Sequence, residues 1–224
     1  MDWSAFALSL KLAVATMVVL LPIGVWAGRQ LAWREFYGKA FVEALLALPL
    51  VLPPTVLGFY LLVALGGGSA LGRWYASVSG HPLTFSFDGL LVASVIFNLP
   101  FAIQPMQRAF EAIAPEVREA ALCCGMSTGR LLRRIELPLA WPGILSAMVL
   151  TFAHTLGEFG VVLMVGGSIP GETRTIAVAI YDRVQSFDMA GAGRMSLLLL
   201  LISMVAIGAS YATTSHLGRA RRHG

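Results

Sequence analysis

The chain has 224 residues, of which 57% are hydrophobic and only 12% are charged, and its mean hydropathy is +0.77. A soluble domain of this length does not carry so much apolar surface, so the composition excludes a soluble enzyme or binding module. The formal net charge of +4 accompanies no soluble basic patch with stacking aromatic residues. We therefore expect the basic residues to face lipid headgroups at a membrane, and we expect no nucleic acid as a partner.

Long segments with few or no charges recur along the whole chain. Each is close to the roughly 20 residues that a helix needs to cross a bilayer core. A single strand leaves its backbone unsatisfied in lipid, and the segments are too long and too few for a barrel. The sequence therefore predicts an all-α integral membrane protein of one domain, 1–224, with about five transmembrane helices. The predicted spans are 6–28, 44–65, 89–108, 139–165 and 195–217.

Lysine and arginine residues are unequally distributed between the two ends of these spans. One side collects eleven of the 16 and the other side five. Because cytoplasmic loops carry the excess of positive charge, the N-terminus is predicted outside and the C-terminus in the cytoplasm, together with segment 109–138. The eleven are Arg29, Arg34, Lys39, Arg108, Arg118, Arg130, Arg133, Arg134, Arg219, Arg221 and Arg222.

The cytoplasmic segment between the third and fourth spans has the signals of two short helices. Pro115 suits the first turn of a helix, and Gly125 can reverse the chain. Ser127 or Thr128 can then cap a second helix, which we predict to end at Pro138 at the membrane surface. An exposed helix–glycine–helix hairpin is suited to docking of another protein.

The same hairpin carries a motif: Glu-Ala-Ala, three residues, Gly, nine residues, Ile, one residue and Leu-Pro. This motif resembles the signature loop of ABC importer permeases, and every position of the pattern is met. The resemblance implies the type I importer permease fold and a coupling helix that docks on a separate ATPase subunit. The residues that match the motif are Glu119, Ala120, Ala121, Gly125, Ile135, Leu137 and Pro138.

Three other stretches, 48–58, 156–160 and 169–175, resemble the molybdate branch of this permease family. The Gly-Glu-Phe-Gly piece also occurs in sulfate permeases, so the double-proline run and the Ile-Pro-Gly-Glu-Thr loop favour molybdate. The resemblance implies a multi-pass protein of the bacterial inner membrane, acting as a homodimer with ABC ATPase subunits and a periplasmic molybdate-binding protein. Tungstate is a possible second substrate, and a permease for sulfate, thiosulfate or another oxyanion is the alternative.

The second span indicates where an anion would pass. Pro53 and Pro54 remove two helical N–H groups and predict a break, beyond which a half-helix presents backbone N–H groups near the midplane. Thr55 lies in the first turn of that half-helix, and Gly58 leaves room for close approach. The alternative is a kink that serves packing alone.

Polar residues in the third and fourth spans are further pathway candidates. His154 and Glu158 are four residues apart and share a helix face with room to pair. Since a carboxylate repels a dianion, we interpret Glu158 as a gate or structural residue near the outer surface, paired with His154 or Arg174. Gly157 belongs to the same candidate gate. Gln104 is a candidate for lining the pathway or, alternatively, for hydrogen bonding between helices.

Other classes of membrane protein fit the sequence less well. A secondary transporter typically shows inverted repeats and midplane carboxylates, and neither is evident. An intramembrane enzyme needs a catalytic set, but Cys123 and Cys124 lie in the cytoplasmic loop with no matching metal or nucleophile pattern. We expect no catalytic residue, no cofactor and no metal site. No Gly-x4-Gly-Lys-Ser/Thr loop occurs, so we expect a partner to hydrolyse ATP.

Overall fold

A computed structural model describes residues 2–220 of the chain, with side chains through residue 208. The side chain of Arg219 and the residues Arg221 and Arg222, which contribute to the predicted charge asymmetry, lie outside this description. Helices are the regular elements of the described range, which confirms the predicted all-α class. The helices are α1 Trp3–Trp33, α2 Lys39–Val51, α3 Pro54–Leu65, α4 Ala70–Ser79, α5 Phe87–Glu111, α6 Pro115–Cys123, α7 Thr128–Leu131, α8 Leu137–Gly157, α9 Gly160–Gly166, α10 Ile176–Gln185 and α11 Met189–Ala220.

Four continuous helical segments of the described chain are long and apolar enough to cross a membrane. A fifth candidate is the pair α2 and α3, which meets the same criteria together but is bent by 110° at its break. The structure therefore agrees with about five spans, one of them broken or re-entrant. The four continuous segments are Trp3–Trp33, Phe87–Glu111, Thr128–Gly157 and Met189–Gly208.

Helices α1, α5 and α8 form the centre of the bundle. Met106 and Phe110 of α5 are fully buried and pack with Ile144 of α8. Gly28 of α1 lies against the backbone of Gln107, where an added Cβ would be 2.8 Å from the amide nitrogen. Because lipid supplies no hydrophobic drive between helices, such small residues stabilise the bundle by allowing close backbone packing.

The short helix α10 closes the predicted outer end of the bundle. Its buried residues Ile176 and Ala179 pack against Ala5 of α1 and Met195 of α11. The backbone N–H of Ile176 donates a hydrogen bond of 2.8 Å to the Ser9 hydroxyl, which ties the start of α10 to α1. The long connection before α11 is therefore packed structure and contributes to the bundle.

Pro138 does not end a helix, contrary to the prediction. A π-helical turn, Leu132–Glu136, joins α7 to α8 and makes one helical segment from Thr128 to Gly157. Pro138 lies in the first turn of α8, directly after the π-helical turn has interrupted the regular α-helical ladder. The missing proline N–H therefore removes no essential helical hydrogen bond there.

The fourth predicted span, 139–165, is not one continuous helix. Helix α8 ends at Gly157, Glu158 is extended with φ −66° and ψ 125°, and α9 starts at Gly160. The sequence has no proline at this point, and the break was missed for that reason.

The orientation of the bundle can be measured by cysteine labelling. Cys123 and Cys124 are exposed in the hairpin, so the native chain should react with a membrane-impermeant maleimide only after the cells are permeabilised. A Cys123→Ser, Cys124→Ser, Arg73→Cys variant should react in cells whose outer membrane has been opened and whose inner membrane is still closed. The reason is that Arg73 is exposed on the predicted outer side. The opposite labelling pattern would overturn the predicted orientation.

Candidate functional site

The candidate coupling element is the hairpin of α6 and α7. Helix α6 ends at Cys123, and Gly125 reverses the chain with φ +75°. The N–H of Gly125 donates to the carbonyl of Leu122 at 2.9 Å, which closes the turn. Ser127 is the residue that precedes α7, in an extended conformation. The predicted helix–glycine–helix form is therefore present.

The motif residues of the hairpin divide into an exposed and an inward group. Glu119 and Ala120 are exposed on α6, next to the exposed apolar side chains of Val117 and Leu122. Ala121 is buried beneath them. This arrangement presents apolar side chains beside the exposed acids Glu116 and Glu119, as expected of a surface that another protein covers.

The last three motif residues lie where the hairpin joins the membrane bundle. Ile135 and Leu137 are half-buried, and Leu137 packs against the core formed by α5 and α8. Pro138 is exposed at the start of α8. The motif therefore extends from the exposed helix to the base of a long membrane helix.

A buried ion cluster at this base was missed by the sequence analysis. Glu136 has no exposed side-chain surface, and its carboxylate binds Arg29 Nε at 2.5 Å and Arg118 Nε at 2.7 Å. Removing one member of a buried pair typically costs about 3–5 kcal/mol, because it leaves an uncompensated charge. The only signal in the sequence was an acid inside the motif, three residues before the fourth predicted span.

The second candidate region is where two helix breaks meet. Pro53 precedes α3 and Pro54 is its first residue, so the predicted proline break is present. A Cβ added to Gly160, at the start of α9, would lie 2.8 Å from the Cβ of Pro54. Gly58 meets Met164 in the same way, at 2.8 Å. Helices α3 and α9 therefore pack in direct contact, one beginning at each break.

A cavity of about 550 Å³ opens beside these two breaks. It brings together five of the predicted pathway residues, which come from the second and fourth predicted spans. None of the residues that line it is a lysine or an arginine. The lining residues are Pro54, Thr55, Phe97, Ala153, His154, Gly157, Glu158, Phe159 and Gly160.

His154 or Arg174 was the predicted partner of Glu158, but the residues that bind its carboxylate lie in the third predicted span. Ser94 Oγ donates to Glu158 Oε2 at 2.9 Å, and Asn98 Nδ2 donates to the same oxygen at 3.2 Å. His154 Nδ1 lies 2.9 Å from Asn98 Oδ1, so Asn98 connects the two predicted partners. Glu158 is also only 4% exposed, so its carboxylate lies inside the helical bundle. Its predicted depth in the membrane, towards the outer surface, stays a prediction.

Arg174 belongs to a separate network outside the bundle core. Its Nε lies 3.5 Å from Asp182 and 3.0 Å from the Ser168 hydroxyl. Asp2, at the start of α1, has a pKa below its ordinary value because its carboxylate accepts hydrogen bonds from the Ala5 N–H and the Ser4 hydroxyl. This network ties α10 to its neighbours and does not reach Glu158.

Gln104 is not part of the cavity at the breaks. It lines a smaller cavity of about 210 Å³ between α2 and α5, with Gln107 and Glu43 among its neighbours. Gln107 Nε2 donates to Glu43 at 2.9 Å and to Glu111 at 2.8 Å. Five of the eight predicted pathway residues thus line the cavity at the breaks and Gln104 lines the smaller one, whereas Pro53 and Gly58 line neither.

Known proteins match this chain in sequence over nearly its whole length. Residues 20–220 match the family described as binding-protein-dependent transport system inner membrane component. A molybdenum transport system permease protein of Azotobacter vinelandii is 44% identical, over 95% of this chain and 94% of that protein. A protein of the same description from Haemophilus influenzae is 36% identical, over 92% and 91% of the two chains.

A solved structure supports the fold. A chain of the crystal structure of a bacterial ABC transporter involved in the import of alginate superposes with a TM-score of 0.75 at 15% identity, covering 95% of this chain and 78% of that one. At this identity the likeness shows the architecture alone. Together with the family match and the apolar helices, it shows that the chain belongs to the binding-protein-dependent transport system inner membrane components and is a multi-pass permease of the inner membrane.

Proposed function

We propose that this chain is the membrane-spanning permease subunit of an ATP-driven importer that carries molybdate from the periplasm to the cytoplasm. The observation that carries this proposal is the similarity to molybdenum transport permeases along almost the entire chain. The motif-bearing hairpin and the two packed helix breaks supply the parts that such a subunit needs. Tungstate, which shares the tetrahedral dianion geometry, is a candidate second substrate.

The hairpin is the proposed docking site for a separate ABC ATPase subunit. Val117, Ala120 and Leu122 offer apolar area, and Glu119 offers a charge that a basic residue of the partner can pair. Gly125 sets the angle between α6 and α7. In this proposal the chain hydrolyses no ATP, and the ATPase transmits its movement through α6 to Ala121, Ile135, Leu137 and Pro138.

The cavity at the breaks is the proposed part of the translocation pathway. Helix α3 has 12 residues and starts at Pro54, so its positive dipole end lies at the cavity. The N–H groups of Val56 and Leu57 both donate to the Pro53 carbonyl, so the N–H of Thr55 is the donor proposed to face the anion. Without a lysine or arginine in its lining, such a site binds a dianion weakly, which suits a subunit that must release its cargo. Glu158, Gly157 and His154 are then the proposed gate beside it.

The complete importer is proposed to contain two copies of this chain, with a periplasmic molybdate-binding protein on the outer side. The broken pair of helices exposes large apolar residues outside the bundle, an area that a second copy can cover. These residues face either the second copy or lipid. They include Val51, Phe59, Tyr60 and Val63, which are 80%, 51%, 63% and 57% exposed.

Disruption of the gene tests the proposed substrate. Cells that lack this chain should lose uptake of labelled molybdate at low external concentration and regain it when the gene is restored, whereas labelled sulfate uptake should be unchanged. Loss of sulfate uptake with normal molybdate uptake would instead favour a sulfate or thiosulfate permease.

A further inference from the structure

The carboxylate of Glu136 joins three segments that are distant in sequence. Arg29 lies near the end of α1, Arg118 lies in the middle of α6, and Glu136 is the last residue of the π-helical turn before α8. The two arginines are 107 and 18 residues away from the acid. One buried side chain therefore connects the proposed docking helix with two membrane helices.

The two carboxylate oxygens are divided between the two arginines. Oε2 accepts from Arg29 Nε at 2.5 Å, and Oε1 accepts from Arg118 Nε at 2.7 Å. Arg29 also reaches Oε1 through Nη2 at 3.4 Å. The Arg118 guanidinium lies 4.1 Å from the ring centre of Trp33, the last residue of α1. Arg118 thus attaches α6 to α1 both through Glu136 and through the tryptophan face.

Helix α6 has few other attachments to the bundle. Among its nine residues only Ala121 is buried, and the side chains beside Arg118 are exposed. A force applied to the exposed face of α6 therefore reaches α1 through Arg118 and the carboxylate that it shares with Arg29. It reaches α8 both through this carboxylate and along the chain of the hairpin. A charge-assisted contact of this kind is short and directional, so it resists both stretching and rotation.

We propose that Glu136 forms a rigid link in this permease. It is a positioning residue that makes α6, the end of α1 and the start of α8 move as one body when the partner ATPase moves. This inference rests on the proposed function, since it assumes that an ATPase acts on α6. It adds a residue that lies inside the signature loop but outside its specified positions, and it assigns the transmission of movement from α6 to α1 to one ion cluster.

The rigid link can be tested by measuring a distance between α6 and the end of α1. Spin labels are placed on Cys123, in a Cys124→Ser background, and on an Arg34→Cys substitution at the exposed end of α1. Electron–electron distances are recorded for the complex with its ATPase in lipid nanodiscs, without nucleotide and after trapping with ATP and vanadate. With Glu136 present, the distance should be narrow and equal in both states.

Three variants distinguish loss of the rigid link from a general loss of stability. Glu136→Gln keeps the volume and removes the charge, and should broaden the 34–123 distance and lower the number of ions carried per ATP several-fold. Arg118→Lys keeps Glu136 paired with Arg29 and loosens only α6, and should broaden the distance in the same way even where Glu136→Gln fails to assemble. Arg133→Gln removes an exposed arginine three residues from the acid and should behave as the native complex.

Two results would overturn the proposed rigid link. One is a native complex whose 34–123 distance changes on trapping, since the segments would then move separately. The other is an Arg118→Lys complex with the native distance distribution and the native transport ratio. Neither result depends on which ion is carried. If the native complex keeps an unchanged 34–123 distance, and thus an intact rigid link, but carries no molybdate, that result counts against the proposed substrate alone.

Discussion

The Gly125→Val variant is expected to insert and fold but to lose ATP-driven uptake. Gly125 has φ +75°, a conformation that a β-branched residue rarely adopts, and forcing an L-residue into it costs roughly 1–2 kcal/mol. The chain should relieve this strain by changing the angle between α6 and α7 at this turn, while Arg118 keeps its contact with the buried Glu136. Reorientation moves Glu119 and Ala120 out of register with the ATPase.

Gly129→Val is the matched control for this change. Gly129 lies four residues later in the same hairpin, has no positive φ, and an added Cβ there meets no atom within 4 Å. Binding of the ATPase is measured by co-purification, and uptake is measured with the assembled complex. Normal ATPase binding and uptake by Gly125→Val would show that the hairpin geometry is not the coupling element.

Replacement of Glu158 by alanine should cause a large loss of folded permease and of uptake. Its carboxylate accepts the hydrogen bonds of Ser94 and Asn98 in a buried site. Without it Asn98 keeps its hydrogen bond to the Ser94 carbonyl at 2.9 Å, but a buried Ser94 hydroxyl left without an acceptor costs about 1–3 kcal/mol. The extended backbone at Glu158 also separates α8 from α9. Loss of the Glu158 side chain and of its hydrogen bonds should therefore loosen the contact between the two helix breaks.

Glu158→Gln is the matched control, because its amide oxygen can accept both hydrogen bonds at nearly unchanged volume. It should keep most of the folded yield and most of the uptake, both measured on purified complexes by thermal unfolding and by ion accumulation. If the glutamine variant folds normally but transports no better than the alanine variant, the negative charge itself is required, and a role for Glu158 as a hydrogen-bond acceptor alone is wrong.

The parts that could be predicted from sequence depend on local chemistry. Gly125 readily adopts the left-handed conformation that this chain reversal uses, and the adjacent Pro53 and Pro54 remove two successive N–H groups from the helical ladder. These effects act within a few residues, so the hairpin and the first break were predicted in the right places. The apolar segments similarly indicated membrane helices without any tertiary information.

The parts that were missed depend on contacts between distant segments. Glu158 finds its partners 60 and 64 residues earlier, and a helical-face argument within one span indicated His154 instead. Ser94 and Asn98 do carry a weak signal, since two polar residues four apart in an uncharged span share a helix face. Glu136 gave less indication, because only the folded chain brings Arg29 to it from α1.

ATP-dependent accumulation of molybdate in proteoliposomes tests the central claim most directly. The chain is reconstituted with its ATPase, ATP is placed on the ATPase side, and a molybdate-binding protein with labelled molybdate is added on the other. We predict accumulation that stops when the ATPase, the ATP or the binding protein is omitted. Accumulation by the chain alone, driven by a proton or sodium gradient without the ATPase, would contradict the account and identify a secondary transporter.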